Sequence, residues 1–417
     1  MNRLRKYLTL IFQLTLLNLA PINAQTINVC DACSLTNITD AVAVATIGDT
    51  IIVEEGKYFE HDIEIRQSMT IIGNNAIIDA EFKGGVFHIY ADDTTITGFT
   101  INNIKRSYTK DIAAIYAFGI NNFTFTNNIF HNPFFALLIQ RSKNGSITDN
   151  SIYGDAIDEV SSGNGIHIWH SSNIEIHNNT IEQMRDGIYL EFVKNSKVYH
   201  NKSINHMRYG LHFMFSNDNT YHHNLFENNA AGVAVMFSKN ITMQHNIFRD
   251  NWGTASFGLL LKEIYDAEIT DNIFQKNTIG INVEGSTRID YKNNVFNNNG
   301  WALKITGGCY ENIFTQNDFI NNSFDLSYNG RVNKNQFHLN YWSEYNGYDL
   351  DRDGVGDVEY QPVKLFSYIT DKTPESIILI RSLFIDIINF SEKVSPIFIS
   401  EKIKDKSPSI KIINDIL

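Results

Sequence analysis

Five side chains in this 417-residue chain are placed where they could together hold a soft metal ion: His167, Glu191, His212, Met214 and Met236. All five follow a glycine at a fixed offset, in Gly165-Ile-His-Ile-Trp169, Gly187-Ile-Tyr-Leu-Glu191, Gly210-Leu-His-Phe-Met214 and Gly232-Val-Ala-Val-Met236. Alternation of period two marks strands, with the second and fourth residues after each glycine on the outer face. The outward pairs are then His167/Trp169, Tyr189/Glu191, His212/Met214 and Ala234/Met236, with Lys262 one repeat later. Imidazole with thioether suits Cu(I) better than Ca²⁺ or Mg²⁺. The same cluster also reads as an aromatic and methionine patch for docking a protein.

Other groups carry chemistry of different kinds. Asp349-x-Asp351-x-Asp353-Gly354-x-x-Asp357 has the carboxylate spacing and the glycine of the first half of a calcium loop. Position twelve is Tyr360, with Glu359 beside it. Cys30 and Cys33 form a CxxC, which reads as a local disulfide or as a thiol pair open to metal or redox chemistry. Cys309 is left over and reads as a small buried residue. His200, His223 and His245 precede the repeat asparagine in successive repeats, with His222 adjoining. They form either a plain corner ladder or a proton- or metal-linked column. Asp155, Asp158 and Glu159, with Asp186 and Glu191 in the next repeat, are the acids that a polysaccharide hydrolase or lyase would need.

These residues depend on a repeat for their placement. Asn-x-Ile/Phe recurs from Asn128-Ile-Phe130 through Asn150, Asn179, Asn201, Asn224, Asn246, Asn272, Asn294, Asn317 and Asn335, mostly in steps of 22 or 23. Gly165, Gly187, Gly210, Gly232, Gly258 and Gly280 repeat the same rhythm with steps of 22, 23, 22, 26 and 22. Two independent columns at one period mean a solenoid. Two or three short strands per repeat, separated by Asn, Gly or Ser corners, mean an all-β, single-stranded right-handed parallel β-helix. Asparagine suits both the tight left-handed corners and hydrogen-bonded ladders between coils. Roughly a dozen coils are expected.

Arg3, Arg5 and Lys6, the apolar stretch Tyr7 to Leu19, and Ile22-Asn-Ala24 read as a signal peptide over 1–24. Residues 25–50 are expected to be an N-terminal cap, with a short helix within 38–47, and 51–345 the β-helix. Residues 346–361 form the acidic Asp-rich loop, and 362–417 a C-terminal amphipathic helical segment and tail. Ile380, Leu383, Phe384, Ile387, Ile388 and Val394 fall near one helical face. That face suits a cap on the last coil, or docking onto a membrane partner or the membrane surface in peripheral contact, with Leu383, Phe384, Ile387 and Ile388 as contacts. The tail with Pro396 and Pro408 reads as extended. The formal charge of −12 becomes more negative by three without the leader, which disfavours nucleic acid as partner.

Two stretches resemble the NosD family: Arg208-Tyr-Gly-Leu-His-Phe-Met-Phe-Ser-Asn-Asp-Asn219, and Asn340-Tyr-Trp-Ser-Glu-Tyr-Asn-Gly-Tyr-Asp through Tyr360-Gln-Pro-Val363. Gly48 to Tyr58 and Leu379 to Phe384 also fit. The resemblance implies a periplasmic accessory subunit, not an enzyme, held at the inner membrane by a permease and working with an ABC ATPase. It implies a role in maturing the copper centre of nitrous-oxide reductase during denitrification, in contact with the reductase and a copper-chaperone lipoprotein. The cofactor expectation is transient Cu(I), with structural calcium at the acidic loop. The alternatives are a secreted β-helical polysaccharide lyase or hydrolase, and a purely structural docking adaptor.

Overall fold

The computed structural model describes residues 24–107, 109–329, 334–379, 382–394 and 403–414. The leader expected at 1–24 lies outside them but for Ala24. Alternating apolar residues close the repeats into a parallel β-helix. Three sheets of 14, 12 and 13 strands run along it, every neighbouring strand belonging to the next coil. One coil shows the path. Ala113–Phe118 lies in the 12-stranded sheet, Asn121–Thr126 in the 14-stranded sheet and Ile129–His131 in the 13-stranded sheet; Phe135–Gln140 then returns to the first, one coil on. The stack begins early. Thr26–Val29, within the segment expected only to cap, already pairs in parallel with Thr50–Val53. The capping helix is Ile38–Val44, with the Asn37 side chain accepting from Asp40 N–H.

Asparagine's two tasks fall to different residues. The repeat asparagines are buried and form the ladder. Asn246 Oδ1 accepts from the backbone N–H and the Nδ2 of Asn224, at 3.1 and 3.0 Å. Its own Nδ2 donates to Tyr221 O and to Asn272 Oδ1. The residue just before each repeat asparagine takes the left-handed corner: Asn127, Asp149, Asn178, His200, His223, His245, Asp271 and Asn293 all have φ near +55°. Two residues after the ladder, Phe226, Phe248, Phe274, Phe296, Phe319 and Trp342 stack through the core at 4.1–5.5 Å. The last member of the sequence repeat falls outside this ladder. Asn335 belongs to a neighbouring column, accepting from Asn312 N–H, and Phe337 stacks on Phe314. The ladder itself runs from Asn317 to Asn340, a step of 23 rather than a short one.

The glycine column faces inward. A Cβ on Gly232 would lie 2.5 Å from Gly258 O and 3.2 Å from the Phe248 ring, so a side chain has no room beside the phenylalanine stack.

Beyond Trp342 the chain returns to the open end. The amphipathic segment is not one helix. It comprises a helix at Leu365–Lys372, a 3₁₀ turn at Pro374–Leu379 and a helix at Leu383–Val394; Ile380 lies outside the described residues. Ile385 and Ile388 pack with Phe366 and Ile369 onto Phe324 and Trp301 of the last coils. The tail is not merely extended either; Pro396 lies outside the described residues, but Asp405 and Ser409 bridge to Phe337 and Tyr341. Asp405 Oδ2 accepts from Asn340 N–H, Asn340 Nδ2 and Trp342 Nε1, which ends the asparagine ladder.

Candidate functional site

The candidate copper residues lie on the 12-stranded sheet in two columns fixed by backbone register. One column runs His167, Tyr189, His212 and Ala234. The other runs Trp169, Glu191, Met214, Met236 and Lys262. Strand neighbours lie about 4.8 Å apart. Met214 therefore has Glu191 on one side and Met236 on the other, and all three are partly exposed. The left-handed corner beside them carries a second aromatic stack. His170, Phe192, Phe215 and Phe237 follow one another at 4.6, 5.2 and 5.1 Å, with Phe192 and Phe215 exposed. Methionines flanked by exposed rings form an adaptable apolar surface.

The first column departs from expectation. His212 does not face solvent and is only 6% exposed. Its ring stacks on Tyr189 at 4.5 Å and meets Tyr209 at 4.7 Å. His167 stacks on the other face of Tyr189 at 4.6 Å. Rings held roughly parallel do not converge on one ion. His167 lies two coils from His212 and three from Met236, about 10 and 14 Å by strand spacing. The donor set that register brings together is Glu191, Met214 and Met236, with His212 two residues along the same strand as Met214. Both ring nitrogens of His212 and of His167 are buried without a hydrogen-bond partner. Burial, then the Arg185 charge, depress the His167 pKa to about 4.

Beside His212 lies a pair that pattern reading missed. Asp186 has no exposed surface, and Arg208 grips both its oxygens at 2.9 and 2.6 Å. His212 Nδ1 stands 3.6 Å from the same carboxylate, beyond hydrogen-bond length. Burial pushes the Asp186 carboxyl up. His212 and Arg208 outweigh it and hold the pKa down at about 2. The signal was available: Asp186 and Arg208 are 22 residues apart, one coil, and each stands just ahead of a column glycine. His206 was missed in the same way. It replaces asparagine in a second ladder that continues through Asn229, Asn251, Asn277 and Asn299. Its Nδ1 accepts Met184 N–H at 3.1 Å as an asparagine oxygen would. Full burial lowers its pKa to about 4.

The remaining candidates are placed as follows. Cys30 and Cys33 form a disulfide. Cys309 is buried where other coils carry a corner serine, and its Sγ accepts Ser286 N–H. Asp349, Asp351 and Asp353 converge, with one oxygen of each within 4.8 Å of the others. Asp357 instead accepts Leu350 N–H at 2.7 Å. In the C-terminal helix, Leu383, Phe384 and Ile387 are exposed, whereas Ile388 turns to the last coil. The expected single face is thus split between an anchored side and an open one. Three of the acids considered for polysaccharide chemistry, Asp155, Asp158 and Asp186, have structural partners. Asp155 pairs with Arg106, and Asp158 accepts from Val160 and Ser161 N–H in a turn.

Fold and patch together define a parallel β-helix with a methionine, carboxylate and aromatic face. Solved structures share the fold. The mannuronan C-5 epimerase AlgE4 A-module of Azotobacter vinelandii superposes with a TM-score of 0.61 at 12% identity, covering 71% of this chain and 92% of that one. A family 28 exopolygalacturonase of Yersinia enterocolitica gives 0.57 at 11% identity, covering 75% and 78%. At such identities the likeness is of fold alone. Residues 148–347 match the family model of NosD, described as a periplasmic copper-binding protein. That span holds all five candidate copper residues and the Arg208–Asn219 stretch, so the NosD likeness read from the sequence stands over this part of the chain. Two curated relatives agree, each named a probable ABC transporter binding protein NosD. The one from Stutzerimonas stutzeri is 26% identical over 114 residues, 27% of this chain and 26% of the relative. The one from Pseudomonas aeruginosa is 27% identical over 114 residues, 27% of each chain. The matched stretch spans about a quarter of the length of these relatives.

Proposed function

We propose that this chain is a periplasmic accessory protein, not an enzyme, that serves assembly of the copper centre of nitrous-oxide reductase. Copper is its cargo. Met214, Met236 and Glu191 receive a Cu(I) ion, with His212 two residues back along the strand of Met214. Thioether donors match Cu(I), and the flanking stack of Phe192, Phe215 and Phe237 gives a copper-chaperone lipoprotein or the reductase a surface to dock on. The carrying observation is the register that sets Met214 against Met236 and Glu191 within the segment matched to a copper-binding family. The test is anaerobic Cu(I) titration of the protein beside a Met214→Ala/Met236→Ala variant, with His212→Ala as a separate, more disruptive change. Binding lost in the methionine variant supports cargo handling on this face; equal binding in both refutes it.

The open side of the C-terminal helix, Leu383, Phe384 and Ile387, is the proposed contact with the permease of an ABC complex whose ATPase lies across the membrane. No helix among the described residues is long and apolar enough to span a membrane. Removing 377–417 would also strip the Asp405 cap. The cleaner test is Leu383→Ser/Phe384→Ser/Ile387→Ser, which should abolish co-purification with the permease and leave the melting temperature nearly unchanged. Retained co-purification would refute this contact.

A further inference from the structure

The last coil ends on a carboxylate that its surroundings do not satisfy. Asp325 stands opposite Ala302 in the column that carries Gly232, Gly258 and Gly280 in earlier coils. Its neighbours along the strand hold the C-terminal segment. Phe324 packs with Phe366 and Ile385, and Leu326 O accepts from Ser367 Oγ at 3.1 Å. Asp325 is buried at that seam. Its one hydrogen bond among the described residues comes from Asn322 Nδ2 at 3.4 Å, and that group also donates to Phe296 O at 3.0 Å. We propose that Asp325 is a proton-operated latch on the C-terminal segment. Neutral, it leaves the helices Leu365–Lys372 and Leu383–Val394 seated on the last coil; ionised, it draws water into the seam and loosens them.

The seam has the parts that such a device needs. A cavity in it is lined by Asn322, Asp325, Leu326, Glu344, Lys364 and Ser367, so water has a place beside the carboxylate. The charged groups that face Asp325 there are Lys364 and Glu344, and these two are ion-paired with each other. Lys364 therefore offsets only part of the cost of burying the charge. The other ladder end shows the contrast, where Asp405 takes three donors at 3.0–3.1 Å. Burial pushes the Asp325 carboxyl up to about 6, against the pull of Lys364 and then of Asn322. An acid whose pKa rises on docking supports the docked state fully below its ordinary value of 3.8, and that support is lost as pH rises through about 6. With Asp325 wetted in the loosened state, docking weakens about tenfold between pH 5.0 and 7.5. The latch stands on this seam alone. Its consequence, release of the side that bears Leu383, Phe384 and Ile387, rests on the permease reading above.

The test is amide hydrogen exchange of residues 365–372 and 383–394 in the full chain at pH 5.0 and 7.5, with exchange times scaled for the intrinsic rates. The parent should lose about tenfold protection in both helices at the higher pH, and Asp325→Asn should hold its protection constant. Lys364→Met tests the same latch should Asp325→Asn misfold, because without the cation the loss should grow beyond the parent's. Constant protection in the parent, or an equal fall in Asp325→Asn, would overturn the proposal. So would a loss in folded Lys364→Met no larger than the parent's. Retained co-purification of the Leu383→Ser/Phe384→Ser/Ile387→Ser variant would refute the permease contact and leave this exchange result standing.

Discussion

His206→Asn should make the β-helix less sensitive to acid, by an amount the structure sets. His206 sits fully buried in an asparagine ladder, its Nδ1 accepting from Met184 and its Nε2 turned toward Gly187, where a Cβ would lie only 2.6 Å away. Burial lowers its pKa from 6.5 to about 4. A base whose pKa falls on folding lends stability that is complete above its unfolded pKa and is lost as pH falls toward the folded one. The window is therefore pH 6.5 down to about 4. At pH 4.5 the loss from this one residue is about 2–3 kcal/mol, at roughly 1.4 kcal/mol per pH unit. Asparagine does not titrate, so the variant keeps that share. It also gives up packing under Gly187 and beside Ser203, about 1–3 kcal/mol at all pH values. The slope, not the absolute stability, is thus the signal. Urea unfolding of both proteins at pH 7.0, 5.5 and 4.5 measures it. The parent should lose about 2–3 kcal/mol more than the variant between the extremes. His167, His222 and His223 are present in both and cancel. Parallel pH curves would refute the assignment of His206 as a buried neutral base.

Three further outcomes follow from the same contacts. Asn246→Ala takes the side-chain acceptor from Asn224 N–H, leaves Asn224 Nδ2 with only Val198 O and His222 O, and removes two donated bonds, so unfolding free energy should fall by about 2–4 kcal/mol in denaturant titration. Asp405→Ala strips three buried donors at the end of the ladder. It should lower stability by about 2–4 kcal/mol and hasten amide exchange first in the last coil around Asn340 and Trp342. If Asp349, Asp351 and Asp353 hold calcium, calcium restored after chelation should raise the melting temperature and Asp351→Asn should abolish that rise; an unchanged melt in calorimetry would mean that the three carboxylates converge without an ion.

The repeat was legible because its period is short and two columns report it. Each column glycine is enforced by the backbone carbonyl of the next coil, 2.5–2.7 Å from where a Cβ would lie, and each asparagine by the coil above, so the spacing survives insertions at the corners. The outward columns of the copper patch followed from that register alone. What spacing could not carry was depth. His212 lies on the outer side of its strand, yet Tyr189 and Tyr209 cover it, and alternation says nothing about what lies over a face. Asp186 with Arg208, and His206 in the second ladder, were coded one coil from their partners and could have been found by extending the glycine column one to four residues upstream. The tail was beyond such reasoning. Asp405 reaches Asn340 across 65 residues, with no repeat to announce it. The C-terminal helix was read as one apolar face because periodicity marks which residues align, not which of them finds a partner. Ile385 and Ile388 met the last coil, and Leu383, Phe384 and Ile387 did not.

The proposed function puts this chain in the loading of copper into nitrous-oxide reductase. The most direct measurement is the copper content of the reductase purified from cells that carry the intact gene, lack it, or carry Met214→Ala/Met236→Ala. The account predicts a full complement with the intact gene, and reductase depleted in copper and activity in both other strains. Fully loaded reductase from cells lacking this chain would contradict it.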